Sequence, residues 1–480
     1  MAWPSDLARH VSGQVLTDDA TREAAAADFG RVVIRKPEAV VRPASAEDVA
    51  VVLKFASRQS LGVSTRGAAH SQSGQSLSEH IVLDMCALDQ VRRLNRAAGT
   101  VVCQGGVKWR SLVEQLAPQR FSPPVLTNNL DVTVGGTLST AGLGVASWRH
   151  GTQADHCVEV EVVTGTGEVL RCSPYQDPEL FDAVRAGMGQ FGVITEATLE
   201  VRRHQPRFRS YYLLYDNLDA VMNDLKLLMR EPRFDYLEAW CVPCPQGFKK
   251  VGAAHQAFAQ WFFPLHATVE AGDGPADASV AGGVSALDAA KLDGLTFYKR
   301  VHTEEGDILE FFTRLDSLFE IWKRAGFWEY AHPWMECVLP WQAASFYIGQ
   351  VLANLPSQAI AGGHILLWPA RADASRVPLF IRPAGDPLLG FGILPAVPRP
   401  FLEEALPRLN QASAASVMMG GKRYLSGWIN FDHRQWQAHY GEHWARVVEL
   451  KKKYDPHQVL NPGFVKYEAS GATEIQSQGA

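Results

Sequence analysis

The chain has 480 residues, of which 46% are hydrophobic and 20% charged, and carries a formal net charge of -5. That length exceeds what one simple core organises and predicts two domains; the negative balance excludes a general nucleic-acid binder, which needs a basic stripe. No uninterrupted apolar run is long enough to cross a bilayer. The start Met1-Ala2-Trp3-Pro4-Ser5-Asp6 lacks a signal-peptide pattern, and the odd number of cysteines, seven, suits a reducing compartment. A cytoplasmic protein with no membrane or nucleic-acid partner is therefore expected.

Taken in order, Asp18 to Ala27 predicts a short helix and Val40-Val41-Arg42-Pro43 a strand. A helix follows with Ser45 as N-cap and Asp48 three residues on. Next comes Ser64-Thr65-Arg66-Gly67-Ala68-Ala69-His70-Ser71-Gln72-Ser73-Gly74-Gln75, then the strand-like His80-Ile81-Val82-Leu83-Asp84. Small residues bracket one histidine, so backbone N–H groups can come close to a bulky anion with few Cβ atoms in the way. Alone, the stretch also reads as an ordinary turn.

A strand at Val101–Gln104 and a helix from Trp109 to Ala117 precede a second glycine-rich stretch, Asp131 to Gly144. It lacks the GxGxxG spacing and the acidic residue of a dinucleotide ribose site, which argues against a Rossmann fold. Val158–Val163 alternates and Thr164-Gly165-Thr166-Gly167-Glu168 predicts a hairpin into Val169. Pro178 opens a helix, and Gly187–Thr195 leads into a strand ending at Val201. Beyond it, Tyr211–Tyr215 reads as a strand and Leu218–Met229 as an amphipathic helix. Ala267 to Ala286 reads as a mobile insertion rich in Ala, Gly and Asp. Helices are expected over Ile308–Ala325 and Phe431–Lys453, and disorder after Glu468. Cys241-Val242-Pro243-Cys244 has no second CxxC pair and reads as structural thiols.

Arg66-Gly-Ala-Ala-His70-Ser71, Thr133-Val-Gly-Gly-Thr-Leu-Ser139, Gly189-Gln-Phe-Gly-Val-Ile-Thr195, Ala331-His-Pro-Trp334, Lys422-Arg-Tyr-Leu425 and Tyr454-Asp-Pro456 follow one another in order. Together they resemble the cytokinin dehydrogenases within the vanillyl-alcohol-oxidase (PCMH-type) flavoproteins. The resemblance implies an α+β fold: a PCMH-type FAD-binding domain, residues 1–205 with 424–480, and a substrate domain of antiparallel sheet covered by helices at 206–423. It implies FAD carried covalently by His70, with contacts from Gly67, Ser71, Gln75, Asn128, Thr133, Ser139, Leu143, Val193 and Tyr424. A single covalent bond is expected, because Thr127-Asn128-Asn129-Leu130 offers no cysteine where doubly linked relatives have one.

Three departures bear on chemistry. Asn128 stands where the family has an aspartate, and an amide cannot act as a general base. Leu318 stands for a glutamate, and Glu336 for an asparagine two residues after the pocket tryptophan Trp334. A fourth, Ala69, replaces the second glycine before the histidine. Leu315, Leu318, Trp334, Glu336 and Leu425 are expected to line the substrate pocket. The expected activity is hydride removal from a C–H next to N or O of a small, largely apolar substrate other than a typical cytokinin. Asn128 would orient the substrate, Glu336 would act as base, and oxygen or a quinone would accept the electrons. The alternatives are a cytokinin dehydrogenase with a rearranged pocket, a flavin-dependent oxidative tailoring enzyme of secondary metabolism, and a flavin-loaded binding module.

Overall fold

The computed structural model of the protein describes residues 3–252, 254–272, 286–355, 360 and 362–469. Two units share the chain. The first holds a four-stranded sheet in which Gln14–Leu16 pairs antiparallel with Ala39–Arg42, and Ala39–Arg42 and Val63–Arg66 both run parallel to Ile81–Asp84. The helix Ala46–Gln59 makes the crossover between Ala39–Arg42 and Val63–Arg66 and buries Val49, Val52, Leu53 and Ala56, an i, i+3, i+4, i+7 stripe. Ser45 caps it by accepting from the Asp48 N–H at 3.3 Å. The Asp48 carboxylate turns the other way, accepting from the N–H groups of Ser12, Gly13 and Ala44 at 2.8 Å each.

Beside this sheet, five antiparallel strands run in the order Val91–Asn95, Thr100–Gln104, Val193–Glu200, Cys157–Val163, Val169–Cys172. The two glycine-rich stretches connect these elements. The second unit is an eight-stranded antiparallel sheet ordered Lys299–Asp307, Arg207–Tyr215, Ala254–Ala271, Tyr236–Val251, His364–Ala370, Leu388–Leu394, Met335–Pro340, Lys422–Arg423. The helices Leu218–Arg230, Trp341–Asn354 and Leu402–Met418 pack their apolar residues against it. This is the expected two-unit α+β architecture. The C-terminal segment returns to the first unit: Leu460 bridges Val63, and the buried Lys451 donates to the carbonyls of Gln190 and Leu460.

Several sequence expectations change. Ala267–Ala271 is strand rather than insertion, because its residues pair in register with Arg207–Tyr211. Residues 273–285 of that stretch, and 470–480 of the expected disordered tail, lie outside the described residues. The helix expected over Ile308–Ala325 is two helices, Ile308–Phe312 and Asp316–Arg324, broken at Thr313, whose backbone N–H and hydroxyl both bond back into the preceding turn. The C-terminal helix is likewise two, His433–Tyr440 and Trp444–Tyr454, parted at Gly441 with φ +55°. Cys241 is buried in the sheet while Cys244, three positions along the same strand, is exposed. Strand residues i and i+3 point to opposite faces, so the pair forms no metal half-site. No helix among the described residues is long and apolar enough to cross a membrane.

Candidate active site

A long cleft opens between the units. Gly67, His70, Ser71, Gln75, Asn128, Thr133, Ser139, Leu143, Val193, Leu315, Trp334, Glu336 and Tyr424 all line it. Two expected pocket residues do not. Leu425 is 6% exposed and packs into the core of the first unit. Leu318 is half-buried on the helix Asp316–Arg324, but it is Leu315 and Phe319, one turn apart, that line the cleft.

The loop after Val63–Arg66 forms one end. The buried Asp28 carboxylate accepts from the Ser71 hydroxyl at 3.0 Å and the Gly74 N–H at 2.8 Å, pinning the loop from outside. Among the described residues the backbone N–H groups of Ala68 through Gln72 find no acceptor, although all five residues line the cleft. Such a run of free amides is a ready anion cradle. Gly67 closes on the second glycine-rich stretch so tightly that a Cβ there would lie 2.1 Å from the Thr133 Oγ1. Ala69 sits at φ +53°, the left-handed region that glycine enters without strain; for alanine it costs roughly 1–2 kcal/mol. These features fit a diphosphate-bearing group laid along the loop.

His70 is held by rings. It stacks on Phe29 (centroids 4.2 Å, interplanar 19°) and meets Trp334 edge-on at 5.3 Å. Phe29 in turn stacks on His332 at 4.1 Å. Burial lowers the His70 pKa to about 4, so its imidazole is neutral with a free nitrogen lone pair.

The other end of the cleft is lined chiefly by apolar and aromatic side chains: Leu315, Phe319, Trp334, Leu366, Trp368 and Leu394. Trp368 lies flat on its neighbouring strand because Gly390 and Gly392 carry no side chain; a Cβ on Gly390 would sit 1.8 Å from the indole. Across Gly392 stands Glu336, which accepts from the Ser426 hydroxyl at 2.8 Å. Burial raises its pKa to about 7, outweighing that hydrogen bond and the nearby Arg423 charge.

The sequence reading missed Glu238 and Arg314. Glu238, 4% exposed, lines the cleft from the strand Tyr236–Val251. It accepts from the Asn128 Nδ2 at 2.6 Å and from the Trp240 Nε1 at 3.0 Å. Arg314 donates to the Asn128 Oδ1 at 2.6 Å and lies 3.8 Å from the Glu238 carboxylate. Burial works to raise the Glu238 pKa, but the Arg314 charge, His266 and the two hydrogen bonds hold it below the usual carboxylate range. The cleft therefore holds two unlike carboxyl groups, an ionised Glu238 and a Glu336 poised near neutrality.

An FAD binding domain family matches residues 37–173, and the family described as "Cytokinin dehydrogenase 1, FAD and cytokinin binding" matches residues 286–465. The chain is 30% identical over 463 residues to an uncharacterized oxidoreductase, ORF5 in the fasciation locus of Rhodococcoides fascians, covering 95% of this chain and 99% of that one. It is 31% identical to cytokinin dehydrogenase 6 of Oryza sativa subsp. japonica, covering 96% and 93% of the two chains, and 31% identical to cytokinin dehydrogenase 7 of the same plant, with the same coverage. With two-unit α+β fold, amide cradle and ring-held histidine alongside these similarities, the chain belongs to the cytokinin dehydrogenase-like branch of the PCMH-type flavoproteins and is an FAD-dependent oxidoreductase.

Proposed function

We propose that the protein oxidises a small substrate at a C–H next to nitrogen or oxygen, with Glu336 as proton acceptor. The carrying observation is a buried carboxyl group lining an aromatic chamber with Trp334, where burial raises its pKa to about 7. A base works best when its pKa lies near the working pH, which favours Glu336 over the ionised, fully partnered Glu238. In this reading residues 1–205 and 424–480 hold FAD and residues 206–423 build the substrate chamber. A bound FAD supplies the two-electron acceptor for the departing hydride. The chain's own work is to shut water out with Phe319, Trp334 and Trp368, to orient the substrate N–H or O–H at Asn128, and to receive its proton at the Glu336 carboxylate. Oxygen or a quinone serves as terminal acceptor.

His70 is assigned as the single covalent tether. Its neutral imidazole supports this, since attachment needs a nucleophilic nitrogen; among the described residues no cysteine lines the cleft to make a second bond. Yellow colour remaining with acid-precipitated protein is the expected result, and a colourless pellet refutes the tether. The mostly apolar wall favours a substrate other than a typical cytokinin. A cytokinin is the second reading, favoured by the names of the rice relatives and by the polar Asn128–Glu238 edge. Mixing with isopentenyladenine decides: slow or absent flavin bleaching is expected, and rapid bleaching selects the second reading.

A further inference from the structure

Asn128 sits between two partners that can each play only one part. A guanidinium only donates and an ionised carboxylate only accepts. Arg314 at 2.6 Å therefore requires an acceptor at one end of the residue 128 side chain, and Glu238 at 2.6 Å requires a donor at the other. Of the side chains of this size and shape, a carboxamide offers both at every pH, whereas a carboxyl does so only while it holds a proton. The orientation of the Asn128 amide is thus fixed by chemistry. One N–H and one carbonyl lone pair remain for the chamber.

We propose that Glu238 and Arg314 are positioning residues that lock the Asn128 amide, so that it presents a neutral donor–acceptor edge to the substrate. The opposite charges of Glu238 and Arg314 offset each other beside Asn128, so this wall carries no net charge. It suits a neutral group that both gives and takes a hydrogen bond, such as a hydroxyl or an uncharged secondary amine, rather than an ammonium or a carboxylate. This choice of substrate group rests on the cleft being the substrate chamber; the lock itself does not.

The lock makes a counter-intuitive demand. Asn128→Asp puts a second carboxylate within hydrogen-bond distance of Glu238, and two such groups cannot both ionise. The pair must share a proton, with Arg314, His266, His364 and Tyr212 as the other charged or titratable groups around Glu238. A proton bound more tightly in the folded than in the unfolded chain stabilises the fold at low pH and is lost as pH rises. The experiment is thermal unfolding of the flavin-loaded protein across pH 5.5–8.5 for wild type, N128D, E238Q and N128D/E238Q. N128D is expected to lose several degrees relative to wild type as pH rises, with little loss at the acid end. The double variant, in which the new amide at 238 donates to the new carboxylate at 128, is expected to recover and to lose that extra pH dependence.

An N128D curve that runs parallel to wild type at all pH values overturns the proposal, as does a double variant no better than N128D at pH 8.5. A merely structural defect would lower every variant alike and would not be rescued by exchanging the charge. Melting needs no substrate, so its failure is distinct from a failure of the proton-acceptor reading, which rests on turnover by E336Q.

Discussion

Glu336→Gln keeps the size of the side chain and an oxygen to accept from Ser426, and removes only the ability to take a proton. Loss of a positioned general base costs typically about 10²–10⁴ in rate. In the wild type, kcat/KM should rise with pH while Glu336 loses its proton, bend near pH 7 and level off. In E336Q that limb should vanish and the remaining rate should be flat and lower by the same factor. Stability gives a second reading without a substrate. A carboxyl whose folded pKa of about 7 stands above its ordinary 4.5 stabilises the fold fully below pH 4.5 and loses that contribution as pH climbs through 7. At about 1.4 kcal/mol per pH unit the difference is at most roughly 3 kcal/mol, reduced by water in the open cleft. E336Q should therefore gain stability over wild type above pH 7, read as a rise of a few degrees in melting temperature. An unchanged rate at every pH, or an acid limb that persists in E336Q, refutes Glu336 as base.

Gly67→Ala must displace the Thr133 side chain beside the cradle, so purified protein should carry much less flavin, measured as visible absorbance per chain. Arg110→Ala breaks paired contacts to Asp131 and Asp316 that tie the helix Asp316–Arg324 to the loop beside Asn128. Those groups are partly exposed, so about 1 kcal/mol or less should be lost, and less still in high salt, as urea titration would report. Lys451→Met leaves the buried Asp455 without its counter-charge, and loss of one partner of a buried pair costs about 3–5 kcal/mol; the urea midpoint should fall sharply with an unchanged slope.

The first unit was legible in the sequence because its signals are local. The apolar stripe of Val49, Val52, Leu53 and Ala56 is a helix period, Pro178 marks a helix start, and glycines mark where the chain must turn or approach. The ordered motifs around His70 and Thr133 brought their residues to one cleft for the same reason. Local signals fail where a helix breaks without glycine or proline. The helix Ile308–Phe312 ends where the Thr313 backbone leaves helical dihedrals (φ -98°, ψ 12°), and the helix that follows sets Leu315 and Phe319, not Leu318, toward the cleft. Leu425 failed differently: a position next to a cleft-lining tyrosine points away from it, into the core.

Glu238 is the instructive case, because its signal was present without its meaning. In Tyr236-Leu237-Glu238-Ala239-Trp240 the alternation of a strand puts the carboxylate on one face with two aromatic rings, and Leu237 and Ala239, both buried, on the other. A charge on such a surface is costly unless it is paired, so the sequence required a partner for Glu238 or a ligand facing it. The partners come from a loop in the first unit and from the turn between two helices of the second, and no spacing rule joins those segments. Once they meet, the departure at position 128 is tied to Glu238. An amide there serves both the carboxylate and the guanidinium without a bound proton, so the polarity of this wall is set by three residues together rather than by one.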